Sequence, residues 1–342
     1  QYADISIDSS GVIYIGYSDT STANQAVLRF AKYSSNSWAA ENSMVGIGSN
    51  AETSMVVDSS GRAHFVYIDR NAKLAYVNRN SSGTWSTPKT DIDSSTQIAS
   101  TAIALDSAST LHILYSDNAN SGSKSLKYVT ENSSGQWSSV ETIHSGDSGG
   151  YFMKSIAVDN SSVPHIAYMT GANGNTLRYA TRSGGTWSAT SGSSAVASHH
   201  QVANWMGSMS ENAIAVQSNG TIHIVYYDPT VGLRYATATS PTGSSSWTLS
   251  NIDNSDTGMG FYNDMAVDSN GKIYASFSKS SGATLRFAAN ASSFSSSLAT
   301  LDSTVADAGE HNAIARDSNG YLHIVYYDTT NTSLKYITEV TQ

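Results

Sequence analysis

The sequence predicts an all-β chain, folded as a seven-bladed β-propeller of four-stranded antiparallel blades with the last blade one strand short. Three observations predict this. A twelve-residue segment recurs seven times without a gap, its copies beginning at Asp8, Asp58, Asp106, Asp159, Gln217, Asp268 and Asp317. Each copy sits in a stretch that reads as short strands separated by turn residues. The apolar pattern has no helical 3.6-residue stripe, which excludes helical solenoids.

The steps between copies are 50, 48, 53, 58, 51 and 49 residues. Units of ~40–50 residues holding four strands, repeated four to eight times, are the signature of a propeller. A single domain over 1–342 is expected, with repeats starting near residues 3, 53, 101, 154, 212, 263 and 312.

The first strand of each copy is a short apolar run, as in Ala213-Ile214-Ala215-Val216. A tight turn of the Asp-Ser-Asn-Gly type follows. Three positions after the Asp stand Gly11, Gly61, Ser109, Ser162, Gly220, Gly271 and Gly320, where a turn calls for positive φ. The second strand is apolar on both faces, as in His323-Ile324-Val325-Tyr326-Tyr327, so it is sandwiched between neighbouring layers. Its sixth position after the Asp is His or Tyr: Tyr14, His64, His112, His165, His223, Tyr274 and His323. An aromatic follows three residues later in every copy, and Asp two after that in five copies. The third strand carries Leu, a basic residue and an aromatic, as in Leu177-Arg178-Tyr179. The fourth opens on Trp38, Trp85, Trp137, Trp187 and Trp247, with Phe294 in the sixth copy. Six such segments serve seven copies, so 27 strands are expected rather than 28. The unpaired edge near Leu334–Thr338 invites a strand from another chain.

Composition narrows the function. Charged residues are 13% of the chain, against the usual ~25%. The net charge is −9 with no basic cluster, which argues against nucleic acid and anionic membranes as partners. No run approaches the ~18 apolar residues of a membrane span. The chain has no Cys, which removes disulfides, thiolate metal sites and Cys nucleophiles. Low charge and loops rich in Ser, Thr, Asn and Gly suggest an extracellular or cell-surface protein whose signal peptide has been removed.

The repeat Asp-Ser-Asn-Gly-x-x-His-Ile-x-Tyr-x-Asp, seen from Asp317 to Asp328, resembles those of secreted bacterial β-propeller proteins, including lectin-like and sialidase-superfamily propellers. The resemblance spans the whole chain and implies a propeller; it is not diagnostic of an activity. Sialidase Asp-boxes run Ser-x-Asp-x-Gly-x-x-Trp, and Ser81-Ser82-Gly83-Thr84-Trp85 lacks both the Asp and the spacing.

The five repeated histidines, at equivalent positions on a ring, are expected to be buried and hydrogen-bonded rather than to bind metal. No cofactor is expected. Function on a repeat scaffold sits where the repeat breaks. The connection from Trp187 to Gln217 is about eight residues longer than its equivalents and contains His199, His200 and Trp205. Trp205 beside two histidines is either a ligand platform or a plug between blades. Just before the first strands lie Glu211, Tyr262, Asp264, Glu310 and His311, expected at the mouth of the central channel. Carboxylates that accept hydroxyl bonds and rings that stack on C–H faces suit a glycan or surface polymer. Three functions of different class remain: a non-catalytic binding or adhesion propeller, a structural subunit of a surface assembly that uses the bare edge, and a glycosidase or lyase.

Overall fold

The computed structural model describes residues 2–19, 26–48, 52–118, 124–147, 152–170, 176–188, 195–198, 212–241, 246–279, 284–290, 294, 297–302 and 308–339. Seven antiparallel sheets follow one another in chain order. Their innermost strands are Ala3–Ile7, Thr53–Val57, Ile98–Leu105, Phe152–Val158, Asn212–Val216, Met259–Val267 and Ala308–Arg316. Each packs against its neighbours on both sides, and Ala3–Ile7 packs against Ala308–Arg316, so the ring closes. The seven-bladed propeller expected from the repeats is the fold observed. Among the described residues no helix is long and apolar enough to cross a membrane.

The 27 described strands match the number expected but are distributed differently. Blade seven has three strands, as expected. Blade two also has only three, its fourth edge reduced to the single bridges Tyr76↔Lys89 and Arg79↔Trp85. Pro88 lies in that segment and has no N–H to give a ladder. Blade four has five, because Thr186–Trp187 and Ala195–Ser198 share one edge of Thr176–Ser183. The tryptophan opens a regular strand only in part: Trp247 stands just ahead of Thr248–Asp253, and Trp137 makes a lone bridge to Glu131.

One hydrogen-bonded unit explains the repeated columns. The Oδ1 of the opening Asp accepts the N–H groups two and four residues on, which closes the turn. Asp106, for example, takes Ala108 N at 2.9 Å and Thr110 N at 2.8 Å. The residue three after the Asp has positive φ in every copy, including Ser109 and Ser162 at 60°. The free Oδ2 faces the second strand. The histidine there lies with Nε2 3.3 Å from Asp58 and 3.4 Å from Asp106, and 3.6 Å from Asp159 and Asp317. Its Nδ1 meets a tyrosine hydroxyl of the third strand. The pairs are His64–Tyr76 at 2.7 Å, and His112–Tyr128, His165–Tyr179, His223–Tyr235 and His323–Tyr336 at 2.6 Å. A carboxylate can only accept, so Nε2 carries the proton and the tyrosine O–H donates to Nδ1.

The two exceptions follow the same logic. Tyr14 and Tyr274 replace histidine, and their hydroxyls reach Asp8 at 2.9 Å and Asp268 at 3.3 Å directly. The third-strand aromatic is then Phe30 or Phe287, which has no hydroxyl to satisfy. Histidine pairs with tyrosine and tyrosine with phenylalanine, so the third-strand hydroxyl is matched wherever it occurs, while His165 and His323 keep Nε2 near the carboxylate but beyond hydrogen-bond reach.

The fourth-segment aromatic of each blade covers the third-strand ring of the blade before it. Trp85 packs edge-on to Phe30, Trp137 to Tyr76, Trp187 to Tyr128, Trp247 to Tyr179 and Phe294 to Tyr235, and Trp38 covers Tyr336 across the closure. Edge-to-face contacts of this kind add ~0.5–1.5 kcal/mol each beyond area burial. The Asp that ends the second strand pairs with the third-strand base in Arg29–Asp19, Lys127–Asp117, Arg234–Asp228 and Lys335–Asp328. Thr170 and Lys279 break that column. Arg178 there bonds Thr170 Oγ1, and Arg286 turns to Asp253 of the preceding blade.

Two predictions follow from the histidine unit. Tyr128→Phe should cost about 1–3 kcal/mol in urea unfolding, because it strands a buried Nδ1. Adding His112→Tyr should recover most of that loss by converting blade three to the blade-one pattern; a double variant no better than the single would refute the matching rule. The second concerns pH. Burial holds all five histidines below their ordinary value, His223 at about 4. Unfolded histidines titrate near ~6.5, so on acidification the unfolded state takes up protons first and stability falls with pH. Burial pushes the Asp58 and Asp106 carboxyls up, but turn N–H groups and histidine outweigh it and hold them low, which adds a loss of the same sign. Tm should drop steadily from pH 7 to pH 5. A flat profile across that window would count against it.

Candidate functional site

The innermost strands converge on the central channel, and their first residues line a cavity of about 250 Å³. Most polar groups there hold the strands to one another. Asp4 Oδ2 accepts Met55 N at 2.8 Å and Ser54 Oγ at 3.1 Å, while its Oδ1 takes Ile5 N. Asp264 Oδ2 accepts Ile314 N at 2.8 Å. Glu52 accepts Thr101 N at 3.3 Å, and Ser155 Oγ donates to Asn212 at 2.7 Å. Burial raises the Asp4 carboxyl above its usual range, although three N–H and O–H donors oppose it.

Blades six and seven break this regular rim in the same way. Their innermost strands are longer, and their register slips at Met259/Phe261 and Phe261/Asp264, and at Ala308/Glu310 and Glu310/Ala313. Gly260 and Gly309 open the two bulges at φ 112° and 102°. A Cβ on either would lie about 3 Å from the backbone of Leu233 or Leu285 in the preceding blade, so only glycine fits. Two residues on, Tyr262 and His311 have φ 47° and 46°. Left-handed backbone at a non-glycine residue costs ~1–3 kcal/mol and persists where the surroundings hold it. Here Asn263 and Asn312 donate back to the carbonyls of Gly260 at 2.8 Å and Gly309 at 2.9 Å, and Asn312 also donates to the Tyr262 carbonyl.

The two bulges bring Tyr262 and His311 together, their ring centroids 4.3 Å apart. Tyr2 closes the other side of His311 at 4.1 Å, anchored by its N–H on Ser18 Oγ at 2.8 Å. His311 is thus held between two tyrosines from the two flanking blades. Burial depresses it to about 3, opposed by the charges of Glu310 and Glu52. It is neutral across the physiological range.

Of the residues singled out from sequence, Tyr262 and His311 meet, and Glu310 lies beside His311, paired in register with Tyr327. Asp264 is on the same rim but holds blade seven. His199, His200, Trp205 and Glu211 lie outside the described residues. Sequence reasoning missed Tyr2 as a partner of His311. It also missed the Gly-x-x-Asn offset shared by Gly260–Asn263 and Gly309–Asn312, which could have marked the bulges. A second, shallower concavity of about 460 Å³ lies between blades one and two, with Tyr67, Arg70 and Trp85 on its walls. Among the described residues no group of three or more His, Cys, Asp or Glu is placed to hold a metal ion.

No protein-family model matches the chain. No curated protein sequence matches it either. Solved structures do. The BP39L lectin from Burkholderia pseudomallei superposes with TM-score 0.69 at 12% identity, over 99% of this chain and 96% of that one. The Aleuria aurantia lectin, a six-bladed propeller with a fucose recognition mode, gives 0.58 at 15% identity, over 88% of this chain and 95% of its own. The NanB sialidase from Streptococcus pneumoniae, as its K499G mutant, gives 0.51 at 13% identity, over 99% of this chain and 68% of its own. At such identities the likeness is one of fold: the chain has the propeller architecture shared by lectins and sialidases.

Proposed function

We propose that the protein is a non-catalytic, extracellular binding propeller that takes a neutral glycan at the channel mouth. The observation that carries this is the cluster of tilted rings Tyr2, His311 and Tyr262, the last two at strained positions set by matched glycine bulges. Strain of this kind, in the same place on adjacent blades, sets His311 beside Tyr2 on the cavity wall with the buried Tyr262 ring behind it. Flat aromatic faces bind the C–H faces of sugars, and the neighbouring polar rim offers acceptors for hydroxyls. A volume of about 250 Å³ lies below the ~300–1,000 Å³ of drug-sized pockets, which suits one or two sugar rings. The lectin-like architecture of the superposed structures supports the same reading. Binding rather than hydrolysis is favoured because hydrolysis needs two carboxylates set to act as acid and as base or nucleophile. Here Asp4, Glu52 and Asp264 each accept a backbone N–H of a neighbouring blade. An adhesive role at a cell surface is the setting in which we place this activity.

The test is a neutral-oligosaccharide array followed by calorimetry on the best glycan. Tyr2→Ala and His311→Asn, the latter chosen because Asn tolerates left-handed backbone, should each weaken binding about tenfold or more, the range of an interface hot spot. Affinity should be constant from pH 5 to pH 8, because His311 does not titrate there. Absence of glycan binding would overturn the proposal. So would a loss confined to Arg70→Ala, which would place the ligand between blades one and two.

A further inference from the structure

Where one blade meets the next, a second polar device recurs outside the histidine relay. The fourth segment of a blade carries an apolar residue followed by a polar one, as in Ile92-Asp93, Ile143-His144 and Leu301-Asp302. The polar group meets the hydroxyl of the second-strand tyrosine in the next blade. Asp93 accepts Tyr115 O–H at 2.6 Å, Asp302 accepts Tyr326 O–H at 2.7 Å, and Tyr168 O–H lies 3.4 Å from His144 Nδ1. In blades three and seven a third-strand lysine completes the device. Lys127 Nζ is 2.9 Å from Asp93 and 2.7 Å from Asp117, and Lys335 Nζ is 3.2 Å from Asp302 and 2.8 Å from Asp328. Each ammonium thus bridges a carboxylate of the preceding blade and one of its own.

The joint between blades one and two has the frame of this device and neither half of its ion pair. Gly46 follows Val45 where Asp93 and Asp302 stand in their segments. Ala75 pairs in register with Tyr67, as Lys127 does with Tyr115 and Lys335 with Tyr326. Blade five shares the first loss, with Ala197 after Val196, but keeps its base in the Arg234–Asp228 pair at 3.3 Å. The concavity of about 460 Å³ between blades one and two opens at this joint, within the ~300–1,000 Å³ of small-molecule sites.

Three polar groups on its wall are left over. Tyr67 is 1% exposed, and among the described residues nothing bonds its hydroxyl. A buried hydroxyl without a partner is rare in a folded protein and marks a place for one. Asp69 Oδ1 closes its own turn by accepting Asn71 N at 2.8 Å and Lys73 N at 2.9 Å, while Oδ2 meets no donor among the described residues. Arg70 lays its guanidinium over Gly46, 2.6–2.7 Å from where a Cβ would stand, and makes no ion pair among the described residues. Gly46 therefore both removes the built-in carboxylate and makes room for a cation.

We propose that this concavity binds a free α-amino acid. Its carboxylate takes the Tyr67 hydroxyl and the Arg70 guanidinium, and its ammonium takes Asp69 Oδ2. The ligand brings the two charges that the joint lacks, a carboxylate for the Asp missing at Gly46 and an ammonium for the Lys missing at Ala75. It holds them side by side, as Asp93 and Lys127 are held in contact. A zwitterion leaves Asp69 and Arg70 both paired, whereas a carboxylate or an amine alone would satisfy only one of them. Trp85 and Pro88 leave an apolar wall for the side chain of the ligand.

The probes are L-leucine and L-phenylalanine, titrated into the full chain by calorimetry. Saturable binding is expected below about 10 mM. Leucinamide, which lacks the carboxylate, and N-acetyl-leucine, which lacks the ammonium, should each bind about tenfold more weakly. The leucinamide deficit should vanish in Arg70→Met. The N-acetyl-leucine deficit should vanish in Asp69→Asn, whose amide oxygen can close the turn as Asn132 does with Ser134 N and Gln136 N. Gly46→Asp supplies a carboxylate from within and should abolish binding while raising Tm. Tyr2→Ala, at the channel mouth, should leave leucine binding unchanged. No binding at the highest concentration would overturn the proposal, as would leucinamide or N-acetyl-leucine binding as tightly as leucine. Glucuronate binding in place of leucine would also overturn it, by assigning the concavity to an acidic sugar.

Discussion

The structure depends on a buried relay from a third-strand tyrosine hydroxyl, through a second-strand imidazole, to the carboxylate of the first turn. In one line it ties three consecutive strands of a blade, and the next blade's tryptophan seals it from water. A β-sheet twists and its strands slide by register unless something fixes them. Backbone ladders alone do not choose the register in a strand that is apolar on both faces. The relay does, because a slip of one residue would leave a hydroxyl, two ring nitrogens and a carboxylate unmatched inside the protein. Tyr14 with Phe30 and Tyr274 with Phe287 show that the matching is what matters, rather than any one residue.

The architecture was legible because the relay repeats. Asp106 and His112 stand for columns at a fixed offset, Tyr128 and Trp137 follow in the same order at offsets that vary by a few residues, and a pattern seven copies deep is hard to produce by anything but a ring of equal units. The rest was less legible for identifiable reasons. Blade two lost its fourth strand to Pro88, a local veto on hydrogen bonding that the strong Trp85 signal masked. The role of Asp264 depended on where its carboxylate pointed, and the N–H of Ile314 in the next blade is fifty residues away in sequence. The pairing of Tyr2 with His311 joins the two ends of the described chain through ring closure, which no local pattern announces. The bulges at Gly260 and Gly309 were visible in principle, as a shared offset in two consecutive copies.

The rim shows how a scaffold divides its side chains between construction and presentation. Short innermost strands leave few backbone contacts between blades near the axis, and Asp4, Glu52 and Asp264 supply them by accepting N–H groups from the neighbour. Once committed in this way, those carboxylates are poor candidates for proton transfer. Tyr2 and His311 stand beside them on the cavity wall.

Blade five departs from the relay at one residue. Gln217 stands where the other copies have Asp, and its Oε1 meets His223 Nε2 at 3.0 Å. Asn219 takes over part of the turn's work by accepting Thr221 N at 2.9 Å. The neutral pair is as well matched as the others, but no anion waits to compensate a proton on His223, and burial alone sets its low affinity for one. Among the five histidine blades, blade five is the one whose imidazole has an amide rather than a carboxylate beside Nε2.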